Sequence, residues 1–210
     1  MSLLQELKEA LIVGNAGKVR ECTEKLVANG FDAATILNDG LIAGMSVIGI
    51  RFKNNEVYLP EVLIAAKAMH AGMAVVSPLL VISGVKEKGI VVLGTVKGDL
   101  HDIGKNLVKM MLEGAGFKVI DIGVDVSPEK FVQAVEEYEP EIVGMSALLT
   151  TTMAQMKSSV ELLKAQHSGV RIIIGGAPVT EEFANEIGAD GYAPDAASAV
   201  EVVNKLLQIA

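Results

Sequence analysis

Tryptophan is absent from this 210-residue chain, and aromatic residues make up 4% of it. The chain has one cysteine, Cys22, which excludes an internal disulfide bond and a cysteine-rich metal cluster. Aliphatic side chains and nine methionines must therefore fill the interior. A single cysteine also fits a reducing compartment, so we expect a cytoplasmic protein.

Long apolar runs and an excess of positive charge are also missing. No apolar run reaches roughly 18 residues without a charge or a break, and the amphipathic start is unlike a signal peptide. We therefore expect neither a secreted nor a membrane-spanning protein. The net charge is -8, which argues against nucleic-acid binding because such binding depends on basic patches. The expected partners are other proteins and small molecules.

Residues 2–83 carry apolar side chains at helical spacing. The third helix is predicted to begin after Asp32, a good N-cap residue, and to end near Phe52. The fourth is predicted to start around Pro60, because proline is tolerated in a first helical turn. Four helices joined by short loops predict a small helical bundle.

The pattern changes at the charged segment 85–89, which we interpret as a linker between domains 1–84 and 89–210. Beyond it, short apolar strands alternate with helices, which indicates a parallel sheet covered on both faces. The predicted fold class is α/β: an N-terminal four-helix bundle cap plus a C-terminal flavodoxin-like, Rossmann-like five-stranded sheet of order 2-1-3-4-5. The predicted strands are 90–93, 118–122, 142–146, 171–174 and a short piece near 191–192. The predicted helices are 103–113, 128–138, 152–166, one after Thr180, and 195–207.

The loop after the first predicted strand carries the pattern Asp99-x-His101-x-x-Gly104. In open α/β sheets, loops that leave the carboxyl ends of strands line the ligand crevice. Imidazole is the commonest side-chain metal ligand, and a nearby carboxylate can accept its other N–H and so fix the tautomer. The loop therefore predicts a metal site with one histidine.

Two further short motifs fall at strand ends, Ser146-Ala147-Leu148 and Gly175-Gly176. In the predicted parallel sheet, the first and third strands are neighbours, and the order in which strands are added to the sheet reverses between them. The histidine loop and the Ser146 turn would then flank the same crevice.

Two glycine patterns resemble phosphate-binding loops but fail in detail. A Walker loop would need glycine where the chain has Asp99, and serine or threonine where it has Asn106. The segment Gly114-Ala115-Gly116 follows a predicted helix rather than a strand, so we interpret it as a helix end. We therefore expect neither a P-loop nor a dinucleotide fingerprint.

The three motifs together resemble the signature of the vitamin B12-binding family, Asp-x-His-x-x-Gly, Ser-x-Leu and Gly-Gly, with similar separations. The resemblance covers nearly the whole chain, because corrinoid proteins of methyltransferase systems and the cobalamin module of methionine synthase carry a helical bundle before the α/β domain. It implies a corrinoid cofactor, cobalamin or a related cobamide, whose nucleotide base leaves the cobalt. His101 would then bind cobalt from below.

The resemblance also implies the residues that contact the cofactor. Small residues and Ser146 would line a slot for the displaced nucleotide tail, and Asp99 would orient the imidazole. Thr152 stands where methionine synthase has a serine that completes an Asp-His-Ser relay, and threonine keeps the hydroxyl. The implied cofactor-binding residues of the α/β domain are Gly98, Asp99, His101, Asp102, Ile103, Gly104, Ser146, Leu148, Thr150, Gly175, Gly176 and Ala177.

The bundle carries a second resemblance, in the segment from Arg51 to Leu63. It is similar to the phenylalanine turn and the aromatic-Leu-Pro segment of methyl-carrier caps, which cover the upper face of the corrin. Phe52 and Leu59 would then shield the cobalt-methyl bond. Weaker candidates are Tyr58, Val62, Met69 and Met73. Asn38 replaces an acidic residue of methionine synthase, so a side-chain contact there is less expected.

The resemblance implies a non-catalytic methyl carrier. It would accept a methyl group on Co(I) from a donor-specific methyltransferase and pass it, as methyl-Co(III), to an acceptor-specific methyltransferase. A reductive activator is a further expected partner, whereas a membrane is not. The sequence leaves the methyl donor open.

Two alternatives remain open. The first is a corrinoid-dependent sensor with the same bundle and domain, although such regulators usually bring a DNA-binding module that this sequence lacks. The second is the B12 subunit of a radical mutase, which would ordinarily lack the bundle. His70 and His167 have no companion motifs, and we interpret both as structural or solvated residues.

Overall fold

A computed structural model describes residues 2–83 and 87–209, and these residues form two compact units. The first unit contains the described residues up to Glu87 together with Gly114–Gly116. The second contains Lys88–Glu113 and the described residues from Phe117 onward. The predicted domain end at Gly84 and the predicted linker residues Val85 and Lys86 lie outside the described residues.

The first unit is helical, and its helices match those predicted. They are α1 Leu3–Ile12, α2 Ala16–Ala28, α3 Ala33–Lys53 and α4 Leu59–Ser83. Side chains cap the first three helices: Ser2, Asn15 and Asp32 each accept a hydrogen bond from a backbone N–H three residues ahead. These caps explain why each helix begins at its polar residue.

Helix α3 contains a segment that the spacing did not predict. Residues Ile36–Ile42 form a π-helix, with ordinary α-helix on either side. A π segment widens the turn, so the apolar stripe shifts around the helix axis relative to a regular α-helix. Asn38 lies in this segment and is exposed.

Helices α3 and α4 are long and apolar enough to cross a membrane, judged by length and composition. Half of the apolar window of α3 and 39% of that of α4 are buried within the protein. Core helices of proteins that never enter a membrane satisfy the same criteria, so this finding is weak evidence for membrane insertion.

The second unit contains a five-stranded parallel sheet of order β2-β1-β3-β4-β5, as predicted. The strands are β1 Ile90–Thr95, β2 Lys118–Asp121, β3 Ile142–Ser146, β4 Arg171–Gly175 and β5 Gly191–Ala193. The helices are α5 Ile103–Gly114, α6 Pro128–Tyr138, α7 Met153–Gln166, α8 Glu181–Ile187 and α9 Ala196–Leu206. A short 3-10 turn, Thr150–Thr152, precedes α7.

The register of the central strands brings the motifs together. Thr95 at the end of β1 pairs with Ser146 at the end of β3, and Ser146 in turn pairs with Gly175 at the end of β4. All three strands therefore end at the same level, and the loops that follow them share one edge of the sheet.

The core on one face of the sheet is built around Phe131 of α6. Its side chain is fully buried and packs among aliphatic residues of the central strands and of α7. Its ring lies so close to Gly94 of β1 that a β-carbon there would approach it to 2.8 Å. Helix and strand are therefore fitted to each other at this point.

Replacing Phe131 with alanine should lower the free energy of unfolding by about 3–5 kcal/mol, because it removes a fully buried ring and leaves a cavity. Urea denaturation of the apoprotein measures the change. Phe31, which is 43% exposed, provides a matched control, and Phe31→Ala should cost less than about 1 kcal/mol. Equal losses for the two variants would contradict this account of the core.

Candidate functional site

The loop between β1 and α5 places His101 at the carboxyl edge of the sheet. Its Nδ1 lies 2.7 Å from Oδ1 of Asp99, and its backbone N–H donates to the same oxygen at 3.1 Å. Asp99 is fully buried, whereas the imidazole is about half exposed. The carboxylate therefore fixes the ring orientation and leaves Nε2 facing outward for a ligand.

The second oxygen of Asp99 ties this loop to the turn after β3. Oδ2 accepts hydrogen bonds from the backbone N–H of Leu148 at 2.7 Å and of Leu149 at 3.1 Å. Oγ1 of Thr152 lies 2.9 Å from Oδ2 and 2.8 Å from the carbonyl oxygen of Leu149, and its single proton can be donated to either oxygen. The Asp-His-hydroxyl arrangement expected from the sequence is thus formed, with threonine in place of serine.

The hydrogen bonds of Asp99 determine its charge. Burial alone would raise the pKa of this carboxyl. The N–H groups of Leu148, His101 and Leu149 and the imidazole all stabilise the carboxylate, and together they hold its pKa well below the usual range. The carboxylate of Asp99 is therefore ionised at neutral pH and acts as an acceptor for every group it contacts.

Ser146 meets a residue that the sequence did not single out. Its hydroxyl lies 2.8 Å from Oγ1 of Thr95, and Thr95 also donates to the backbone carbonyl of His101 at 2.9 Å. Thr95 is fully buried. The sequence shows Thr95 only as a polar residue at the end of an otherwise apolar strand. Its contact with Ser146 becomes predictable only once β1 is known to pair with β3.

The other side of the histidine loop is held by Asp125, which the sequence also gave no reason to select. Asp125 lies in the loop after β2 and has a left-handed backbone conformation, with φ 52°. Its carboxylate accepts from the N–H of Gly98 at 2.7 Å, and its own N–H donates to the carbonyl of Asp99 at 3.0 Å. The loop is therefore clamped from both neighbouring strands.

The first turn of α5 is fixed by a buried ion pair. Nζ of Lys105 lies 2.6 Å from both oxygens of Asp121 at the end of β2, and Lys105 is 5% exposed. Burial raises the pKa of Asp121, but the Lys105 ammonium, the N–H of Gly123 and the charge of Lys109 together lower it below its usual value. This pair had no sequence signal, because the two residues meet only when β2 lies beside β1.

The glycines at the end of β4 are explained by the protein's own packing. A β-carbon on Gly176 would lie 1.9 Å from the carbonyl oxygen of Ala147, and its backbone has φ 127°. A β-carbon on Gly175 would lie 2.8 Å from the carbonyl oxygen of Ala193. Close backbone approach therefore requires glycine at both positions, whereas their role in a tail slot, with that of the exposed Ala177, stays a prediction.

Gly104 is different, because a β-carbon there would meet no atom within 4 Å. Around it and His101 lie apolar side chains that are unusually exposed: Leu100 at 72%, Ile103 at 73% and Leu148 at 45%. Among the implied contacts, Asp102 and Thr150 are also exposed at this edge. The site thus offers an open apolar surface around one imidazole.

The residues expected to shield the upper face lie in the helical unit. Phe52, in the last turn of α3, and Leu59, the first residue of α4, are both half-buried. Of the weaker candidates, Tyr58 is 65% exposed and Met73 is half-buried, whereas Val62 and Met69 are buried. Their contact with a cofactor stays a prediction.

This chemistry fits a corrinoid. Within residues 2–83 and 87–209, no group of three or more His, Cys, Asp or Glu side chains could hold a metal ion. Among these residues a metal bound to His101 would find at most one further such side chain, so most of its ligands would come from a non-protein group such as a macrocycle. The exposed apolar side chains around His101 would cover one face of such a ring.

A parallel sheet of order 2-1-3-4-5 with a carboxylate-oriented histidine at its crevice fits a protein that binds a metal-containing cofactor. Comparison with known sequences agrees with this class. Residues 89–201 and residues 3–77 each match a family described as B12 binding domain. The chain belongs to the B12-binding family, as a corrinoid protein of the methyltransferase-system type.

Several relatives match over almost their whole length. A corrinoid protein of Desulfitobacterium hafniense is 44% identical over 99% of this chain and 98% of its own. The dimethylamine corrinoid protein of Methanosarcina barkeri is 42% identical over 98% of this chain and 97% of its own.

Solved structures give the same result. The methanol:cobalamin methyltransferase complex of Methanosarcina barkeri contains a chain with a TM-score of 0.87 and 30% identity, covering 98% of this chain and 80% of that one. A cobalamin-binding protein of Desulfitobacterium hafniense has a TM-score of 0.80 and 33% identity, covering 97% and 98% of the two chains.

Gly104→Ala should weaken corrinoid binding without lowering the stability of the apoprotein. Because the added methyl group meets no protein atom and lies in a helix, the apoprotein should be as stable as before or more stable by up to about 1 kcal/mol. If the corrin ring occupies that space, the dissociation constant for aquocobalamin should rise at least about tenfold, a loss of about 1.4 kcal/mol. Absorbance titration measures it.

The control for this variant is Gly169→Ala, where a β-carbon also meets no atom within 4 Å but which lies in the turn before β4. Its corrinoid affinity should equal that of the wild type. Unchanged affinity in Gly104→Ala would show that the ring does not occupy the space beside α5.

Asp99→Asn should make the free energy of unfolding of the apoprotein less dependent on pH in the acidic range. Because the folded-state pKa of Asp99 is lowered, its contribution is complete above the unfolded-state pKa of about 3.9 and is lost as the pH falls through the folded-state value. At pH 7 the variant should be less stable by about 3 kcal/mol, and the difference should shrink below about pH 4. Urea denaturation between pH 3 and pH 7 tests this, and a constant difference would contradict it.

Proposed function

We propose that this protein is a methyl carrier, which receives a methyl group from one methyltransferase and delivers it to another. The observation that carries the proposal is the single outward-facing imidazole nitrogen of His101, held by Asp99 in a chain whose relatives include dimethylamine and methanol corrinoid proteins. When bound, the corrinoid supplies a cobalt atom that can accept and release a methyl group. The protein supplies the ligand, the orientation and the shielding.

His101 is the proposed lower ligand to cobalt, through Nε2. Asp99 keeps the proton on Nδ1, because an ionised carboxylate at 2.7 Å can only accept it. A strongly held Nδ1 proton makes Nε2 a better electron donor. When Thr152 donates to the same carboxylate, and not to the Leu149 carbonyl, it moderates how strongly Asp99 attracts the imidazole proton.

The proposed slot for the nucleotide tail begins between the ends of β1 and β3. Ser146 lies at the end of β3, and Leu148 and Thr150 follow it at the exposed edge. Gly175 and Gly176 allow the turn after β4 to approach Ala147 closely. Together these residues would hold the tail through small side chains and backbone groups.

The helical unit is the proposed shield for the upper face, through Phe52 and Leu59. Apolar side chains there would exclude water from the cobalt-methyl bond. The proposed partners are a donor-specific methyltransferase, an acceptor-specific methyltransferase and a reductive activator, all in the cytoplasm. A net charge of -8 would favour docking through basic surfaces on these partners.

Reconstitution with cobalamin tests the ligand and the function together. In the Co(II) form of the wild type, prepared from protein labelled with heavy nitrogen, the electron paramagnetic resonance spectrum should show coupling to one labelled protein nitrogen. His101→Ala should lose this coupling, because any nitrogen that then binds cobalt comes from the unlabelled base of the corrinoid. His70→Ala, an exposed position on α4, should keep the coupling. After reduction to Co(I), the wild type should take up a methyl group when a partner methyltransferase and its methylated substrate are added.

Other outcomes would overturn parts of this proposal. Coupling to labelled protein nitrogen that persists in His101→Ala would exclude His101 as the ligand. A change of oligomeric state with adenosylcobalamin, together with no methyl uptake from methanol or methylamine systems, would indicate a sensor instead of a carrier.

A further inference from the structure

Thr95 occupies a position between the two parts of the proposed cofactor site. It ends β1, beside Ser146 at the end of β3, and its side chain is fully buried. Its hydroxyl contacts the Ser146 hydroxyl at 2.8 Å and the backbone carbonyl of His101 at 2.9 Å. One buried hydroxyl thus touches both the residue proposed to face the tail and the residue proposed to bind cobalt.

The direction of these hydrogen bonds follows from the groups involved. A carbonyl oxygen can only accept, so Thr95 donates its single hydroxyl proton to His101. The contact between the two hydroxyls must then have Ser146 as the donor. The bonds form a directed chain from Ser146 through Thr95 to the backbone of His101.

Thr95 is also held in place by its own backbone. Its N–H donates to the carbonyl of Gly123 at 3.0 Å, and its carbonyl accepts from Val126 at 2.9 Å. The backbone of Thr95 is therefore held on both sides, and its buried hydroxyl reaches Ser146 and His101 from this position.

We propose that Thr95 is a positioning residue that couples occupancy of the tail slot at Ser146 to the binding of cobalt by His101. If the tail accepts a hydrogen bond from Ser146, Ser146 can no longer donate its single proton to Thr95. If the tail donates to Ser146, the hydrogen bond from Ser146 to Thr95 is kept and strengthened. Either event changes the strength of the bond from Thr95 to His101, because linked hydrogen bonds polarise one another. This inference rests on the proposed function, since it takes His101 as the cobalt ligand.

Two corrinoids test the coupling: cobalamin, and cobinamide, which lacks the nucleotide tail. The ratio of their dissociation constants gives the tail preference of each variant. If the sites are coupled by one hydrogen bond worth about 1 kcal/mol, the tail preference should change about fivefold between the wild type and His101→Ala. In Thr95→Val, addition of His101→Ala should change it by less than about twofold.

The matched variants separate coupling from folding. Thr95→Ser keeps the hydroxyl and should retain the fivefold effect. Thr23→Val removes another fully buried threonine hydroxyl that donates to a carbonyl, at 2.7 Å in α2 of the helical unit, and should also retain it. Thr95→Ala serves as the second test variant if Thr95→Val does not fold by circular dichroism.

The outcomes for the two claims are distinct. The coupling role of Thr95 is wrong if adding His101→Ala changes the tail preference fivefold in Thr95→Val or Thr95→Ala. It is also wrong if adding His101→Ala to the wild type does not change the tail preference. If the Co(II) spectrum of the wild type lacks coupling to a protein nitrogen, the proposed function itself is wrong, irrespective of the result for Thr95.

Discussion

The buried carboxylate of Asp99 is the interaction on which the candidate site depends. It is fully removed from solvent, and an isolated charge there would be strongly destabilising. Its cost is offset by hydrogen bonds from His101, Leu148, Leu149 and Thr152, which come from the loop after β1 and from the segment after β3. The same bonds that make the charge tolerable also fix the imidazole, so folding stability and ligand orientation have one physical source.

The fold was largely predictable because its signals are local. Apolar strands separated by amphipathic helices predicted the parallel sheet, and the structure confirms its strand order. Side-chain caps marked where helices begin, as at Asp32. The π segment Ile36–Ile42 was missed, since helical spacing alone does not show where a turn gains a residue. The helical spacing up to residue 83 did predict that α4 continues through Pro78, although proline ordinarily ends or kinks a helix.

The site was predictable only where a motif lies within one loop. Asp99 and His101 are two residues apart, so their hydrogen bond could be expected from the sequence. Asp125 and the Lys105–Asp121 pair support the same loop from the side of β2, and Thr95 contacts Ser146 at the end of β3. Each of these contacts exists only through the strand order. The reason for Gly176 was likewise invisible, because its neighbour is the backbone of Ala147 in another strand.

The hydrogen-bond partners of Asp99 all belong to the α/β unit, among the residues that the structure describes. The lower-ligand geometry therefore needs nothing from the helical unit to form. Such a division suits the proposed carrier, because a protein that meets different partners must expose and shield the upper face in turn. If the ligand network drew residues from both units, every such movement would disturb the orientation of His101. A network kept within one unit would let the proposed shield move while the donor nitrogen stays fixed.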